Sequence, residues 1–301
     1  MSTQVEPTPA SSRRSRRPSA KVTPDARAGG PLGMIFGYLA MLLAVLVVAV
    51  PLYWIVLTSF KESADIYVRP AVYWLNPATG DNYATVINDV PFLAYLRNSL
   101  IIAAVLSIVK TVLGVVSAYA LAILRFPGRN IVFMLVIATL MVPNQITVIS
   151  NYALVAQLGL RNTFVGIIVP LAGTAFCTFL MPNHFLSLPS EVLAAARMDG
   201  AGPVRMLHKV VLPMSWPTLV AFSLITIVNE WNEYLWPFLM ADDEGTAPLP
   251  VGLTLLQNNE GLSNWGPVMA GTILVMIPVL LIFLLLQRHM IKGLTSGAVK
   301  G

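Results

Sequence analysis

Six times along this chain an apolar run of about twenty residues recurs, and the stretches between the runs collect nearly all of its charge. Twenty helical residues rise roughly 30 Å, the thickness of a bilayer's hydrocarbon core. The pattern predicts membrane helices over residues 34–57, 100–124, 131–149, 164–181, 218–240 and 268–286. Pro143 and Asn144 interrupt the third, and 146–158 is read as a separate helix lying on the membrane. Residues 1–33 are rich in Ser, Pro and Arg with almost nothing to bury. They are read as a disordered basic tail near anionic headgroups. A cleaved secretory signal fits less well, because the run after it is too long and no small-x-small site ends it. The fold class expected is all-α, a polytopic protein with six transmembrane helices in one domain over 34–301.

Composition supports the same solvent. Hydrophobic residues make up 56% of the chain and charged ones only 11%, against about 25% charged in soluble domains. Mean hydropathy is +0.73, so one large soluble core is excluded. Cys177 lies alone inside an apolar run, and no disulfide framework can form within the chain. The net charge of +5 is not a nucleic-acid footprint, since six basic residues sit in the first 27 positions and most others flank the runs on one side. Placing the N-terminus in the cytoplasm puts fourteen of the nineteen basic residues on that side, Arg125, Arg129, Arg197, Arg205, Lys209 and Lys300 among them. Four (Lys61, Arg69, Arg97 and Arg161) then lie outside, and Lys110 lies within a span. This is a positive-inside bias, with both termini cytoplasmic and the chain in the plasma membrane.

Between the fourth and fifth runs lies a short helix, expected over about 190–201. Pro189 fixes its start, Ser190 is a candidate N-cap and Glu191 sits in the positive first turn. Asp199-Gly200 stops it with a residue that tolerates a left-handed backbone. A helix this polar at both ends should lie at the cytoplasmic membrane surface against another protein. On the outside, 82–89 is expected to be helical, and the loop 241–266 is long enough to suggest a function.

Candidate chemistry is sparse. The Walker pattern G-x-x-x-x-G-K-[ST] is missing, and His184, His208 and His289 lack metal-ligand spacing, so no catalytic or metal site is assigned. Lys110 sits about ten residues, or ~15 Å, inside the second span and needs a partner or a wet cavity. Glu230 and Glu233 are three apart, as are Asn229 and Asn232, so part of this set should share a helix face. Two readings stay open. With Trp231 and Lys110 these groups line a translocation path, or they hydrogen-bond between helices and fix packing. On the first reading Lys110 meets a phosphate or pairs with Glu230. Tyr234 and Trp236 are assigned to an interfacial aromatic belt.

The 190–213 segment resembles the coupling loop of ABC-importer permeases, a motif of E-A-A, three residues, Gly, nine residues and apolar-x-Leu-Pro. Ala194-Ala195-Ala196, Gly200 and Val210-Val211-Leu212-Pro213 keep that spacing, but Ala194 stands where the motif has Glu. A contact made by that Glu is therefore absent or comes from Glu191. Further pieces agree in order: Tyr95-Leu96-Arg97-Asn98-Ser99-Leu100, Arg125-Phe126-Pro127-Gly128-Arg129 and Trp231-Asn232-Glu233-Tyr234-Leu235-Trp236-Pro237, with the C-terminal Gly293–Gly301. From about residue 33 onward the chain is similar to the second membrane subunit of carbohydrate-type ABC importers, the maltose and glycerol-phosphate branch. Within it, the similarity is greatest to actinobacterial permeases for glycerol phosphate and glycerophosphodiesters such as glycerophosphocholine.

The resemblance implies a non-enzymatic permease subunit without its own cofactor. It also implies a second permease, two copies of an ATPase that uses ATP and Mg, and an external solute-binding protein, all in membrane lipid. Glu191, Ala194, Ala195, Ala196, Asp199, Gly200 and Pro213 would couple to the ATPase, and Asp242, Asp243, Glu244 and Trp265 would meet the binding protein. A sugar or disaccharide permease is the alternative. A proton-coupled secondary transporter, with Glu230, Glu233 and Lys110 as relay groups, is the rival class.

Overall fold

The computed structural model describes residues 31–74, 77–173, 175–256 and 264–295. Most of the basic tail, residues 1–30, lies outside them, as do Glu260, Lys300 and the last residues of the C-terminal motif. Every regular element among the described residues is helical. The described residues divide into two compact units, one ending at Pro51 and the other beginning at Leu52. Helix α1, Pro31–Ser59, begins three residues before the expected span because Pro31 suits a first helical position. Its side chains over 33–50 are exposed, and they form an apolar surface of the kind lipid covers.

In the second unit α2, Ser63–Ile66, and α3, Asp81–Asp89, precede the long α4, Phe92–Ile123. Helices α5, Arg129–Leu140, and α6, Asn144–Gln157, follow. Next come α7, Phe164–Leu171, and α8, Ala175–Leu186, then α9, Ser190–Met198. The chain continues through α10, Pro203–Met206, α11, Leu212–Met214, α12, Trp216–Trp231, and α13, Leu235–Met240. It ends with α14, Leu249–Gly252, and α15, Trp265–Thr295.

Three helices are long and apolar enough to cross a bilayer unaided, namely α1, α4 and α15. Three bent pairs reach the same length and hydropathy only when taken together: α5 with α6 at 95°, α7 with α8 at 47°, and the 203–214 segment with α12 at 83°, which gives three crossings, or six if each pair is one span. The interruption expected at Pro143 is present, while the runs expected over 164–181 and 218–240 are broken rather than straight. Prolines explain the breaks. Pro143 ends α5 and leaves 144–157 as its own helix. Pro170 has no N–H for the Gly166 carbonyl, and the following turn separates α7 from α8. The run expected over 218–240 stops at Trp231, since Pro237 could not donate to residue 233 in a continuous helix.

Helix α4 is the axis of the second unit. Along its first half, Tyr95, Ile102 and Leu106 pack with Trp231, Trp236 and Leu249. Along its second half, Val115, Ala118 and Tyr119 pack with Met181, Phe185, Met206 and Phe222. Gly114 allows α8 to approach, because a Cβ there would stand 2.1 Å from the Cys177 sulfur.

Candidate functional site

The second crossing carries a buried ion pair. Lys110 Nζ donates to Glu230 Oε1 at 2.6 Å, joining the middle of α4 to the end of α12 across 120 residues of sequence. The two side chains are 16% and 8% exposed. Desolvating both charges offsets much of their attraction, so the pair says little about net stability. Removing one partner alone leaves an uncompensated charge and costs about 3–5 kcal/mol. Beside the pair, the hydroxyl of Thr111, the next residue of α4, lies 3.3 Å from that of Ser223 on α12.

Only part of the polar set anticipated on α12 stays with this pair. Asn229 and Asn232 are exposed, and the Asn232 amide donates back to the Val228 carbonyl at 2.7 Å. Trp231 is buried and its indole donates to Val275 O of α15 at 3.1 Å. Glu233 is not on the helix face with Glu230, because α12 has already ended. Its carboxylate accepts from the Trp236 amide at 3.3 Å, at the start of α13. Nor is Trp236 part of an aromatic belt. It is 3% exposed, and its indole reaches the carbonyls of Gly166 and Ile167 at 3.3 and 3.1 Å. The Gly166 carbonyl is the one that Pro170 leaves free, so the defect in α7 is filled from α13. Tyr234 stays 37% exposed and stacks on Phe238.

The 241–256 segment is pinned to α4. The Asn98 amide, fully buried, donates to the carbonyls of Glu244 and Ala247 at 2.9 and 3.0 Å. Ser99 accepts from the Leu249 amide at 2.7 Å, and Gly252 lies against the Tyr95 ring. Asp242 pairs with Arg161 at 2.5 Å, while Asp243 accepts from the Gly245 amide and the Thr246 hydroxyl. A cavity of about 860 Å³ opens here, lined by Tyr95, Phe238, Asp242, Asp243, Glu244 and Thr254. Trp265, half-exposed, starts α15 and donates its amide to the Tyr67 hydroxyl. The sequence motif around Asn98 marked this region, but nothing local revealed that Asn98 and Ser99 hold a loop some 150 positions away. Lys61, placed by charge among external residues, is 2% exposed, donates to the Val72 carbonyl and lies 5.1 Å from the Trp54 ring.

At the far end of α4 stands α9. Ser190 is its first residue rather than its cap, and Pro189 at the cap position makes no side-chain bond. The C-terminus is closed by the backbone: Ala201 N donates to Ala196 O at 3.0 Å and Gly200 N to Arg197 O at 3.1 Å. With Gly200 at φ +74°, this is a Schellman closure, whose left-handed position favours glycine. Leu193, Ala196 and Ala201 pack inward beside Met206 and Leu207. Glu191, Ala194, Ala195, Asp199 and Met198 are exposed, Met198 at 83%. Pro213 sits in α11 at the elbow before α12.

Known proteins with this arrangement are membrane transport subunits. A chain of a bacterial ABC transporter involved in the import of the acidic polysaccharide alginate superposes with a TM-score of 0.77 at 24% identity, covering 88% of this chain and 99% of its own. The alginate ABC transporter in complex with its alginate pentasaccharide-bound periplasmic protein gives 0.63 at 13% identity, over 85% and 93%. At these identities the likeness is one of fold. The sn-glycerol-3-phosphate transport system permease protein UgpE of Pectobacterium atrosepticum is 32% identical over 270 residues, 87% of this chain and 96% of its own length. UgpE of Yersinia pseudotuberculosis is 33% identical over the same extent. Residues 110–296 match the family described as binding-protein-dependent transport system inner membrane component. The chain belongs to that family of binding-protein-dependent transport permeases.

Proposed function

We propose that this chain is the permease subunit of an importer for glycerol 3-phosphate or a glycerophosphodiester such as glycerophosphocholine, and that Lys110 and Glu230 border its path. The observation that carries the reading is the ion pair buried in an apolar span, in a chain a third identical to glycerol-3-phosphate permeases. A lysine at that depth is retained at a cost unless it serves transport or a specific helix contact. Here its ammonium offers a phosphate ester a cation, and Glu230 is the counter-ion when no substrate is present. Asn229 and Asn232, exposed beside it, suit polyol hydroxyls.

The other roles belong to the same proposal. The free face of α9, with Glu191, Ala194, Ala195 and Met198 outward, meets an ATPase subunit that binds ATP and Mg. Two such copies and a second permease complete the membrane assembly. The 241–256 segment, with Asp242, Asp243 and Glu244, and Trp265 beyond it, face an external binding protein. This orientation places both termini in the cytoplasm, with 34–301 as the permease domain. The missing Glu at 194 leaves Glu191 as the carboxylate of that surface.

Uptake by the assembled importer in proteoliposomes tests the substrate and the path together. Glycerol 3-phosphate or glycerophosphocholine should be accumulated and disaccharides not. Glu230→Gln should lower uptake roughly tenfold, the effect of about 1.4 kcal/mol, with the subunits still assembled. Accumulation of a disaccharide with neither glycerol ester carried would refute the substrate. Unchanged uptake by Glu230→Gln would take the pair out of the path.

A further inference from the structure

A second cavity, of about 340 Å³, lies where the C-terminus of α4 meets α9 and α10. Its walls include Ile123, Leu124 and Met206, the Tyr119 ring, and the guanidinium-bearing side chains of Arg125 and Arg197. Both arginines are exposed, and among the described residues neither takes part in an ion pair. The carboxylate nearest Arg197 in sequence, Asp199, is exposed two residues further on, and among the described residues it forms no ion pair with either arginine. From residue 90 to residue 190 the chain contains no Asp or Glu at all. The positions three and four residues from Arg197 are Ala194, Leu193, Gly200 and Ala201, the last two beyond the end of α9. The hydroxyl of Tyr119 is already committed, donating to the Pro203 carbonyl at 2.9 Å, which ties α10 to the cavity wall.

Two arginines on one cavity repel each other unless an anion sits between them. The guanidinium fork matches phosphate oxygens two at a time and with charge-assisted hydrogen bonds. Arg125 comes two residues after the end of a helix long and apolar enough to cross a bilayer, the part of a span where basic side chains meet anionic headgroups. The cavity's remaining walls are apolar, which suits a phosphate carried on an apolar stem. We infer that this cavity is a phosphate-binding site, formed by Arg125 and Arg197 and separate from the Lys110–Glu230 pair. The phosphate comes from an anionic phospholipid headgroup or from a free phosphate in solution. Because Arg197 belongs to α9 and Arg125 to the loop after α4, an occupied site holds α9 against the membrane domain.

Thermal unfolding of the assembled importer in nanodiscs tests the site without reference to transport. One arm compares phosphatidylcholine discs with discs doped with phosphatidylglycerol. The other titrates inorganic phosphate into phosphatidylcholine discs, with chloride at matched ionic strength as the blank. Saturable stabilisation in the first arm identifies lipid, and in the second free phosphate. The Arg125→Gln/Arg197→Gln double variant should need roughly tenfold more of that ligand, while Arg205→Gln, outside the cavity, responds as the wild type. If the wild type shows no saturable response in either arm, the inference fails whatever the variants do. It also fails if the double variant titrates as the wild type, or if Arg205→Gln loses as much.

Discussion

The two ends of α4 are held by different kinds of force. Near Asn98 the 241–256 segment is fastened by buried hydrogen bonds from Asn98 and Ser99 to its backbone. Roughly 30 Å along the same helix, near Tyr119, the α9–α10 segment is held by apolar packing and one side-chain bond to Pro203. Buried polar groups are directional and strongly penalised when unmade, so the first end has a single geometry. Apolar contacts are non-directional and tolerate small displacements. One end is therefore a fixed platform, and the other has the looser support that the proposed coupling of α9 to an ATPase requires.

The largest test of that contrast is Asn98→Ala. It strips partners from the Glu244 and Ala247 carbonyls and should destabilise the protein by about 2–4 kcal/mol. Hydrogen exchange over 244–249 should rise with it. Exchange left at wild-type levels would mean the platform is held by something else. Next comes Gly200→Leu. Nothing lies within 4 Å of a Cβ built at Gly200, so only its positive φ resists the change, by about 1–2 kcal/mol at the end of α9. The fold should survive while ATP hydrolysis runs without uptake, and normal coupled transport would remove α9 from the mechanism. Smallest is Arg161→Ala. Its pair with Asp242 is 42% and 54% exposed, so stability should fall by only about 0.2–1 kcal/mol. A larger loss in thermal unfolding would show the platform leaning on its rim as much as on Asn98.

Much of the site was legible locally. The stop at Asp199-Gly200 could be read because a Schellman closure is written in adjacent residues, and Gly200 does adopt the left-handed backbone. The break at Pro143 was legible for the same reason. Those after Leu171 and after Trp231 were not, although Pro170 and Pro237 were in view, since hydropathy windows average across a missing hydrogen bond. Ser190 was misread as a cap because the choice between Pro189 and Ser190 turns on one residue of backbone geometry. Trp236 was misplaced because an indole suits an interface and a buried carbonyl equally well, and only the neighbouring helix decides between them. Grouping Glu233 with Glu230 failed once the helix that would align them ended at Trp231.

By itself the sequence determined the solvent, the helical class, the number of apolar runs and where α9 stops. Those properties depend on residue composition and on backbone preferences a few positions wide. Tertiary structure alone decided that Lys110 meets Glu230, that Asn98 holds a distant loop, that Trp236 repairs α7, and that Arg125 and Arg197 share a cavity. Each of these depends on how one helix is rotated and placed against another, which is set by packing over the whole core and leaves no trace at neighbouring positions in the chain.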